Sequence, residues 1–162
     1  MTQSRIMNNP IKLVLSLAIT VIVGLSGGFF SVSEIPGWYM HLNKPSWNPP
    51  NWIFAPVWTS LFVLNGISLF LVWKNSAPAR LKKIAIALFS IQLVLNFFWS
   101  FFFFHQHAMG WALVEIVILW IFILLTIFAF GKISNLAAWL LVPYICWVSF
   151  AVVLNYSIWK LN

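Results

Sequence analysis

Charged residues are scarce in this chain of 162 residues, because only 7% are Asp, Glu, Lys or Arg, and only two of these are acidic. A soluble domain carries about 25% charged residues, so this chain has too few to cover a surface that faces water. Hydrophobic residues instead make up 62% of the sequence and aromatic residues 19%. The composition excludes an ordinary soluble domain and predicts an integral membrane protein.

Cysteine, histidine and acidic pairs are also rare, which argues against several classes of catalytic and metal site. Cys146 is the single cysteine, so a disulfide within the chain is excluded. His105 and His107 have no cysteine or acidic residue beside them in the sequence, so we expect a solvated turn rather than a metal site. The sequence has no nucleotide-binding, metalloprotease or nucleophile-elbow motif. We therefore expect no metal and no obligatory cofactor.

Long apolar runs dominate what is present. Five can be counted, at about 11–30, 51–73, 83–104, 109–130 and 135–159. Each has about twenty residues, enough at ~1.5 Å per residue to cross a hydrocarbon layer of ~30 Å. The alternation typical of a β-barrel is missing. We predict an all-α membrane protein, a single domain over residues 1–162 built as a bundle of five transmembrane helices with antiparallel neighbours.

The basic residues predict the orientation. Seven lie at the N-terminus and in the second and fourth loops: Arg5, Lys12, Lys74, Arg80, Lys82, Lys83 and Lys132. Only Lys44 and Lys160 lie on the other side. This places the N-terminus in the cytoplasm and the C-terminus outside, and it explains the net charge without a nucleic-acid partner. A cleavable signal peptide is the alternative for the N-terminus, but the first run is too long for one.

The loop between the first two spans, Trp38–Pro50, combines three prolines with three aromatic residues. Proline lacks a backbone donor and restricts the residue before it, so we expect no helix and no central strand here. A plain linker would be polar and rich in glycine. This composition instead predicts an ordered lid over something apolar, on the outer side of the membrane.

Polar residues form a stripe on the third span, where Gln92, Asn96 and Ser100 recur every four residues. Lipid offers an amide no partner, so the stripe faces protein or a cavity. Hydrogen bonding between helices and contact with a ligand remain equally open. Glu115, in the fourth span, would cost at least ~2.5–3.5 kcal/mol as a charge at membrane depth. It therefore faces the bundle, lies near the interface or is protonated.

Aromatic residues form further faces within the spans. Those of the second span are Phe54, Trp58 and Phe62, and the fifth span adds Trp147, Ala151 and Asn155 at four-residue spacing. With Trp99 they could converge beneath the lid. The alternative is an interfacial aromatic belt, which suits Trp73 and Trp159 better. Gly24 and Gly28 allow close helix approach, either in a dimer or within one subunit, and Pro143 predicts a kink in the fifth span.

These motifs resemble the TspO/translocator protein family, also called the tryptophan-rich sensory proteins or peripheral-type benzodiazepine receptors. The resemblance rests on W-Y-x-x-L-x-K-P-x-W-x-P-P in the loop, P-V-W in the second span, Q-L-x-L-N-x-x-W-S in the third and L-x-P-Y-x-x-W-x-x-F-A-x-x-L-N-Y in the fifth. It covers nearly the whole chain. It implies a five-helix bundle, often a homodimer, with a pocket under the first loop for porphyrins and isoquinoline-carboxamide ligands.

The resemblance and the faces described above together give ten candidate ligand-binding residues: Tyr39, Pro49, Phe54, Trp58, Phe62, Gln92, Asn96, Trp99, Trp147 and Ala151. The resemblance also implies light-dependent porphyrin breakdown by some bacterial relatives, which makes Trp58 and Trp147 the catalytic candidates. Leu154, Tyr156 and Lys160 fit the loose sterol-binding template of animal relatives. The short N-terminus fits a bacterial cell membrane, where sterol is generally absent.

Three functions follow as expectations. The first is a membrane protein that binds tetrapyrroles for sensing, transport or regulation, because aromatic faces stack on a flat macrocycle. The second is an enzyme that degrades bound porphyrin in light. The third is a sterol or lipid scaffold. Binding is favoured over catalysis, because the sequence shows no dedicated acid, base or metal ligand.

Overall fold

The computed structural model describes residues 3–162, with side chains from Asn9 onwards. Five helical stretches in this range are long and apolar enough to cross a membrane: Asn9–Glu34, Asn51–Lys74, Ala79–His105, Met109–Gly131 and Asn135–Leu161. The prediction of an all-α protein with five spans is confirmed, and the protein is an integral, multi-pass membrane protein. Arg5, which contributes to the predicted orientation, has its side chain outside the described part.

Seven α-helices build the five spans and the first loop: α1 (Gln3–Glu34), α2 (Trp38–His41), α3 (Phe54–Lys74), α4 (Ala79–Ser100), α5 (Met109–Gly131), α6 (Asn135–Leu140) and α7 (Val142–Leu161). A 3-10 turn, Asn51–Ile53, leads into α3, and a π-helical segment, Phe101–His105, continues α4. The π-helical segment matters most, because such segments often occur at functional sites.

The helices form a ring in which α1 packs between α3 and α4. On the other side of the ring, α5 packs against α4 and against α6 and α7, while α6 closes the ring on α3. Because five spans form a closed ring, two that run in the same direction must lie side by side. These are α1 and α4, which belong to the first and third spans; the predicted antiparallel order concerns spans that follow each other in the chain and is not affected by this pair.

The half of the bundle that contains the α3–α4 loop, called here the inner half, is closed by small residues. A Cβ on Gly66 of α3 would lie 2.8 Å from Thr20 Oγ1 and 3.0 Å from Leu17 Cα of α1. Ser68 donates a hydrogen bond of 2.7 Å to the carbonyl of Ala137 on α6. Val72, like Ala137, is fully buried. Small side chains let these helices approach closely, as membrane helices require.

Two local predictions about proline are wrong. Trp38–His41 forms one helical turn, with hydrogen bonds from Met40 N to Gly37 O (3.2 Å) and from Leu42 N to Tyr39 O (3.4 Å). The turn is possible because the prolines of the loop begin only at Pro45, so the residues before it keep their amide hydrogens.

The fifth span is also broken rather than kinked. It stops at Leu140 and restarts at Val142, and Pro143 lies in the first turn of α7. The missing amide hydrogen of a proline costs nothing there, since the first amides of a helix have no partner within it. The proline therefore starts a new helix instead of bending an existing one.

Candidate ligand-binding site

A cavity of about 540 Å³ lies in the outer half of the bundle, which is the half beneath the Trp38–Pro50 lid. Residues of α1, α3, α4 and α7 line it, together with Tyr39 of α2. Small-molecule sites commonly enclose about 300–1,000 Å³ and have mostly apolar walls with a few polar groups. The size and walls of this cavity suit such a ligand.

One wall of the cavity is an aromatic corner between α3 and α7. The rings of Trp58 and Phe62, one helical turn apart on α3, stack at 5.7 Å. Trp147 of α7 meets Trp58 edge-on, with ring centroids 6.4 Å apart at 88°. Phe54 completes the corner at 6.0 Å from Trp147. The four-residue spacing on each helix brings these faces together.

The opposite wall comes from the end of α4. Trp99 stacks on Phe103 at 5.3 Å, and the π-helical segment buries Phe103 and Phe104 at the cavity. The indole of Trp99 donates a hydrogen bond of 3.1 Å to Asn155 Oδ1 on α7. Asn155 in turn donates to the carbonyl of Met109, at 3.0 Å. This chain of hydrogen bonds fixes the orientation of the Trp99 ring.

Two residues that carry polar groups, Asn96 and Trp147, line the cavity between these walls. Asn96 Nδ2 donates a hydrogen bond of 3.1 Å to the hydroxyl of Tyr144, which is buried on α7. The indole nitrogen of Trp147 is buried and has no hydrogen-bond partner among the described residues. A buried donor without a partner is costly, and an acceptor on a bound molecule could satisfy it.

The lid closes over the cavity through Tyr39, which is buried against Phe103 and Phe104. Its hydroxyl donates a hydrogen bond of 3.0 Å to Asn48 Oδ1. Burial raises the pKa of Tyr39 to about 12, and the bond to Asn48 opposes this only in part. The phenol therefore keeps its proton, and can donate it to Asn48, at any physiological pH.

The far end of the lid is attached to α7. The side chain of Asn162 accepts a hydrogen bond from the amide of Asn43, at 2.9 Å, and donates one to the carbonyl of the same residue, also at 2.9 Å. Trp47 packs edge-on against Phe150, at 5.8 Å. Lys44 lies 4.8 Å from the Tyr39 ring centroid and donates to two lid carbonyls, those of Met40 and Leu42.

The near end of the lid is attached through His107, which makes two contacts that the sequence did not predict. Its ring stacks on Trp38 at 4.0 Å, and its Nε2 lies 3.0 Å from Glu34 Oε2. The side chain of His107 is still 42% exposed, in keeping with the expected solvated turn, but Glu34 gives it an acidic partner that is absent from its sequence neighbourhood. Glu34 is distant in sequence, so local spacing could not reveal it. His105 instead lies against the rings of Phe30 and Phe101.

Most of the candidate residues share this cavity. Its lining includes eight of the ten: Tyr39, Phe54, Trp58, Phe62, Asn96, Trp99, Trp147 and Ala151. Gln92 is not among them, because it lies one turn further inward on α4, buried and without a partner for its amide among the described residues. Pro49 also lies outside the lining and belongs to the lid, where its carbonyl accepts a hydrogen bond from Asn48 Nδ2.

The three residues of the sterol template do not form one surface. Leu154 is buried and lines the cavity, whereas Tyr156 and Lys160 lie on the exposed face of α7. A two-residue step turns a helix by about 200°, so Leu154 and Tyr156 point in nearly opposite directions. Lys160 lies 5.3 Å from the ring of Trp159, an arrangement that suits an interfacial anchor.

Sequence reasoning missed the contribution of α1 to the cavity. Leu25, Gly28 and Phe29 all belong to the lining. A Cβ on Gly24 would overlap the Phe62 ring, so this glycine packs within the subunit, while Gly28 has no such neighbour. The four-residue spacing of the two glycines was the available signal. It indicated close approach of helices and gave no indication of a cavity.

Comparison with known proteins agrees with this architecture. A family model described as the TspO/MBR family matches residues 16–160. The chain belongs to the TspO/MBR family. The resemblance inferred from the sequence motifs is confirmed, and the matched residues include all five spans except the start of the first and the last residue of the fifth.

Members of the TspO/MBR family from distant organisms are similar over most of their length. The tryptophan-rich protein TspO of Chlorobaculum tepidum is 45% identical over 157 residues, which are 96% of this chain and 99% of the relative. The translocator protein of Homo sapiens is 40% identical over 84% of this chain and 81% of its own. Protein CrtK of Rhodobacter capsulatus is 36% identical over 86% of this chain and 85% of its own.

Proposed function

We propose that the protein binds a flat, largely apolar aromatic molecule of the porphyrin class in the cavity beneath the lid. The observation that carries the proposal is the aromatic corner of Trp58, Phe62 and Trp147, facing Trp99 and Phe103 across a cavity of about 540 Å³. Aromatic faces stack on a macrocycle, and isoquinoline-carboxamides offer the same aromatic surface. Binding would serve tetrapyrrole sensing, transport or regulation.

Quenching of tryptophan fluorescence by protoporphyrin tests the proposal in purified protein. We expect saturable quenching in the wild type. Trp147→Leu and Asn96→Leu should each weaken binding by on the order of tenfold, the change that corresponds to 1.4 kcal/mol, because each removes a polar group and a wall of the cavity.

Trp73→Leu is the matched control, since Trp73 lies near the inner end of α3 and does not line the cavity. It should bind protoporphyrin like the wild type. Equal losses in all three variants, with helical content unchanged, would contradict a common site formed by α3, α4 and α7.

A second candidate function is light-dependent breakdown of the bound porphyrin. It is favoured by the two indoles of Trp58 and Trp147, which both line the cavity and lie 6.4 Å apart. An excited macrocycle can take one electron from an indole in contact with it, and dissolved dioxygen would be the oxidant that consumes the macrocycle while the apolar cavity retains it. Binding alone needs none of this, so catalysis remains the second candidate.

Illumination separates the two functions. If Trp58 and Trp147 take part, the porphyrin absorbance band should decay in light with the wild type and persist in the dark. Trp58→Phe and Trp147→Phe should slow the decay while binding survives, because phenylalanine keeps an aromatic face but is far harder to oxidise. Decay at the same rate with free porphyrin in detergent would leave binding as the function.

A further inference from the structure

The lining of the cavity is unevenly exposed. Its exposed residues come from α1 and from the start of the second span: Leu25, Phe29, Val32, Asn51, Ala55 and Thr59. None of the described lining residues of α4 or α7 is exposed. Phe29 is 77% exposed and Leu25 69%. A residue that lines a cavity and is also exposed marks a place where the cavity reaches the outside, so the cavity opens between α1 and α3.

The packing of α1 on α3 explains this opening. In the inner half, Gly66 holds α3 close to Leu17 and Thr20. Where the cavity begins, Gly24 lies directly on the Phe62 ring. One turn further out, a Cβ on Gly28 would meet no atom of the described chain within 4 Å. The close contact therefore ends at about the level of Gly24, and beyond it the gap between α1 and α3 forms a side window.

The top of the cavity, in contrast, is closed. The lid is bonded to α7 through Asn43 and Asn162, and to the α4–α5 loop through Trp38 and His107. The bond between Tyr39 and Asn48 holds its two halves together. A molecule arriving from water above the lid would have to break several of these contacts. One arriving through the side window would have to break none of them.

Most of the rim of the side window is apolar, like the lipid acyl chains that surround it at this depth. Gly28 lies six residues before Glu34, the outer end of the span, or ~9 Å at ~1.5 Å per residue. This depth reaches the acyl chains of a bilayer. Leu25, Phe29 and Ala55 are apolar, and the Thr59 hydroxyl is already bonded to the carbonyl of Ala55 at 2.8 Å. An apolar molecule dissolved in the bilayer could pass between these four residues without desolvating a free polar group, because the one other polar residue of the rim, Asn51, lies further out, before the start of α3.

We propose that ligands reach the cavity from the bilayer, through the side window between α1 and α3, so that the substrates of this protein are membrane-dissolved molecules. This inference rests on the binding function proposed above. It limits the ligand class to molecules that partition into lipid. Water-soluble porphyrins of similar shape, such as a tetrasulfonated porphyrin, should load slowly or not at all.

A reversible cross-link across the window tests the proposal. Gly28→Cys and Ala55→Cys are combined with Cys146→Ser, and the two thiols are joined by a short bis-methanethiosulfonate linker in protein reconstituted into liposomes. Protoporphyrin is then delivered from preloaded vesicles, and its association is followed by tryptophan quenching. We expect the cross-link to slow association by on the order of tenfold, with a reductant restoring the original rate.

The matched control closes the lid instead. Asn43→Cys and Asn162→Cys, also with Cys146→Ser, are oxidised to a disulfide, which should leave the association rate within about twofold of the reduced protein. Unchanged association with the window cross-linked, or slowing only with the lid cross-linked, would overturn the side window and indicate access from water. Absence of saturable quenching in the reduced proteins and in the wild type would instead overturn the proposed binding function.

Discussion

The inner and outer halves of the bundle use the same helices in opposite ways. In the inner half, Gly66, Ser68 and Ala137 let α1, α3 and α6 meet with little space between them. In the outer half, large aromatic rings hold α3, α4 and α7 apart around a cavity. Small residues close one half while large residues keep the other open, so side-chain size separates the structural role from the binding role.

This contrast places stability and binding in different parts of the sequence. Close packing in the inner half contributes van der Waals contact, which together with hydrogen bonds holds membrane helices together. The outer half has fewer contacts between helices, because the cavity separates them there. Tyr39 and Trp47 of the lid add contacts in this half by packing on Phe103 and Phe150. Changes in the inner half should therefore affect unfolding, and changes in the outer half should affect ligand binding.

The largest expected effect concerns which half faces which side of the membrane. Ser46 lies exposed in the lid and Ser76 exposed at the opposite end of the bundle. Single cysteines at these positions, with Cys146→Ser, should give all-or-none labelling in intact cells, with an impermeant thiol reagent reaching only position 46. The reason is the bias of basic residues towards the loops of the inner half. Labelling of position 76 alone would reverse the proposed orientation.

The next effect compares two glycines, one in each half. Gly66→Ala should destabilise the protein by about 1–3 kcal/mol, because the new Cβ overlaps α1, including its backbone. Gly28→Ala should be neutral or stabilising by up to about 1 kcal/mol, since its Cβ enters open space and alanine favours a helix. Denaturation in the same detergent measures both. Equal destabilisation would mean that α1 and α3 are as close in the outer half as in the inner half.

Much of this architecture could be predicted from sequence because membrane spans leave a strong signal. Run length gave the five spans, and four-residue spacing placed Trp58 and Phe62 on one face of α3 and Trp147 and Ala151 on one face of α7. The same logic failed for Gln92, because a polar stripe shows which face is buried without showing where along it a cavity ends. Gln92 lies one turn too far inward.

Contacts between distant segments could not be predicted in the same way. Glu34 and His107 are adjacent only because α1 lies next to α4, and the order of helices around the ring leaves no periodic signal in one sequence. The side window has the same origin. Leu25 and Phe29 look like ordinary lipid-facing residues of α1 until the separation of α1 from α3 is known.

A smaller effect should come from the lid. Tyr39→Phe removes the hydrogen bond to Asn48 while keeping the ring packed on Phe103 and Phe104. A typical hydrogen bond contributes about 1 kcal/mol, so a loosened lid should open a second exit besides the side window, and the dissociation rate of protoporphyrin should rise up to about fivefold. Replacing Trp38–Pro50 with a Gly/Ser linker should raise it further, since the prolines limit the conformations of the open loop.

Stopped-flow displacement of bound protoporphyrin measures these dissociation rates. Tyr156→Phe is the matched control, because Tyr156 is exposed on α7 and lies outside the cavity. Its dissociation rate should equal that of the wild type. A linker variant that releases ligand no faster than the wild type would reduce the lid to a connector between the first two spans.

The smallest effect is expected at Glu115, an acidic residue within the fourth span, whereas Glu34 lies at the end of the first. It is buried, and neither carboxyl oxygen has a hydrogen-bond partner among the described residues. A charge at the centre of a membrane helix costs at least ~2.5–3.5 kcal/mol, so we expect the carboxyl to carry its proton. Glu115→Gln keeps both the shape and the neutral state, and it should change the free energy of unfolding by less than about 1 kcal/mol.

Thermal unfolding of the two proteins in the same detergent measures the difference. A loss well above this value would mean that Glu115 is ionised and stabilised by a group that glutamine cannot engage. Unaltered stability would show that Glu115 is neutral and that the outer half accommodates a neutral polar side chain in its core. The inner half differs, because its close packing at Gly66 should not accommodate even one added methyl group.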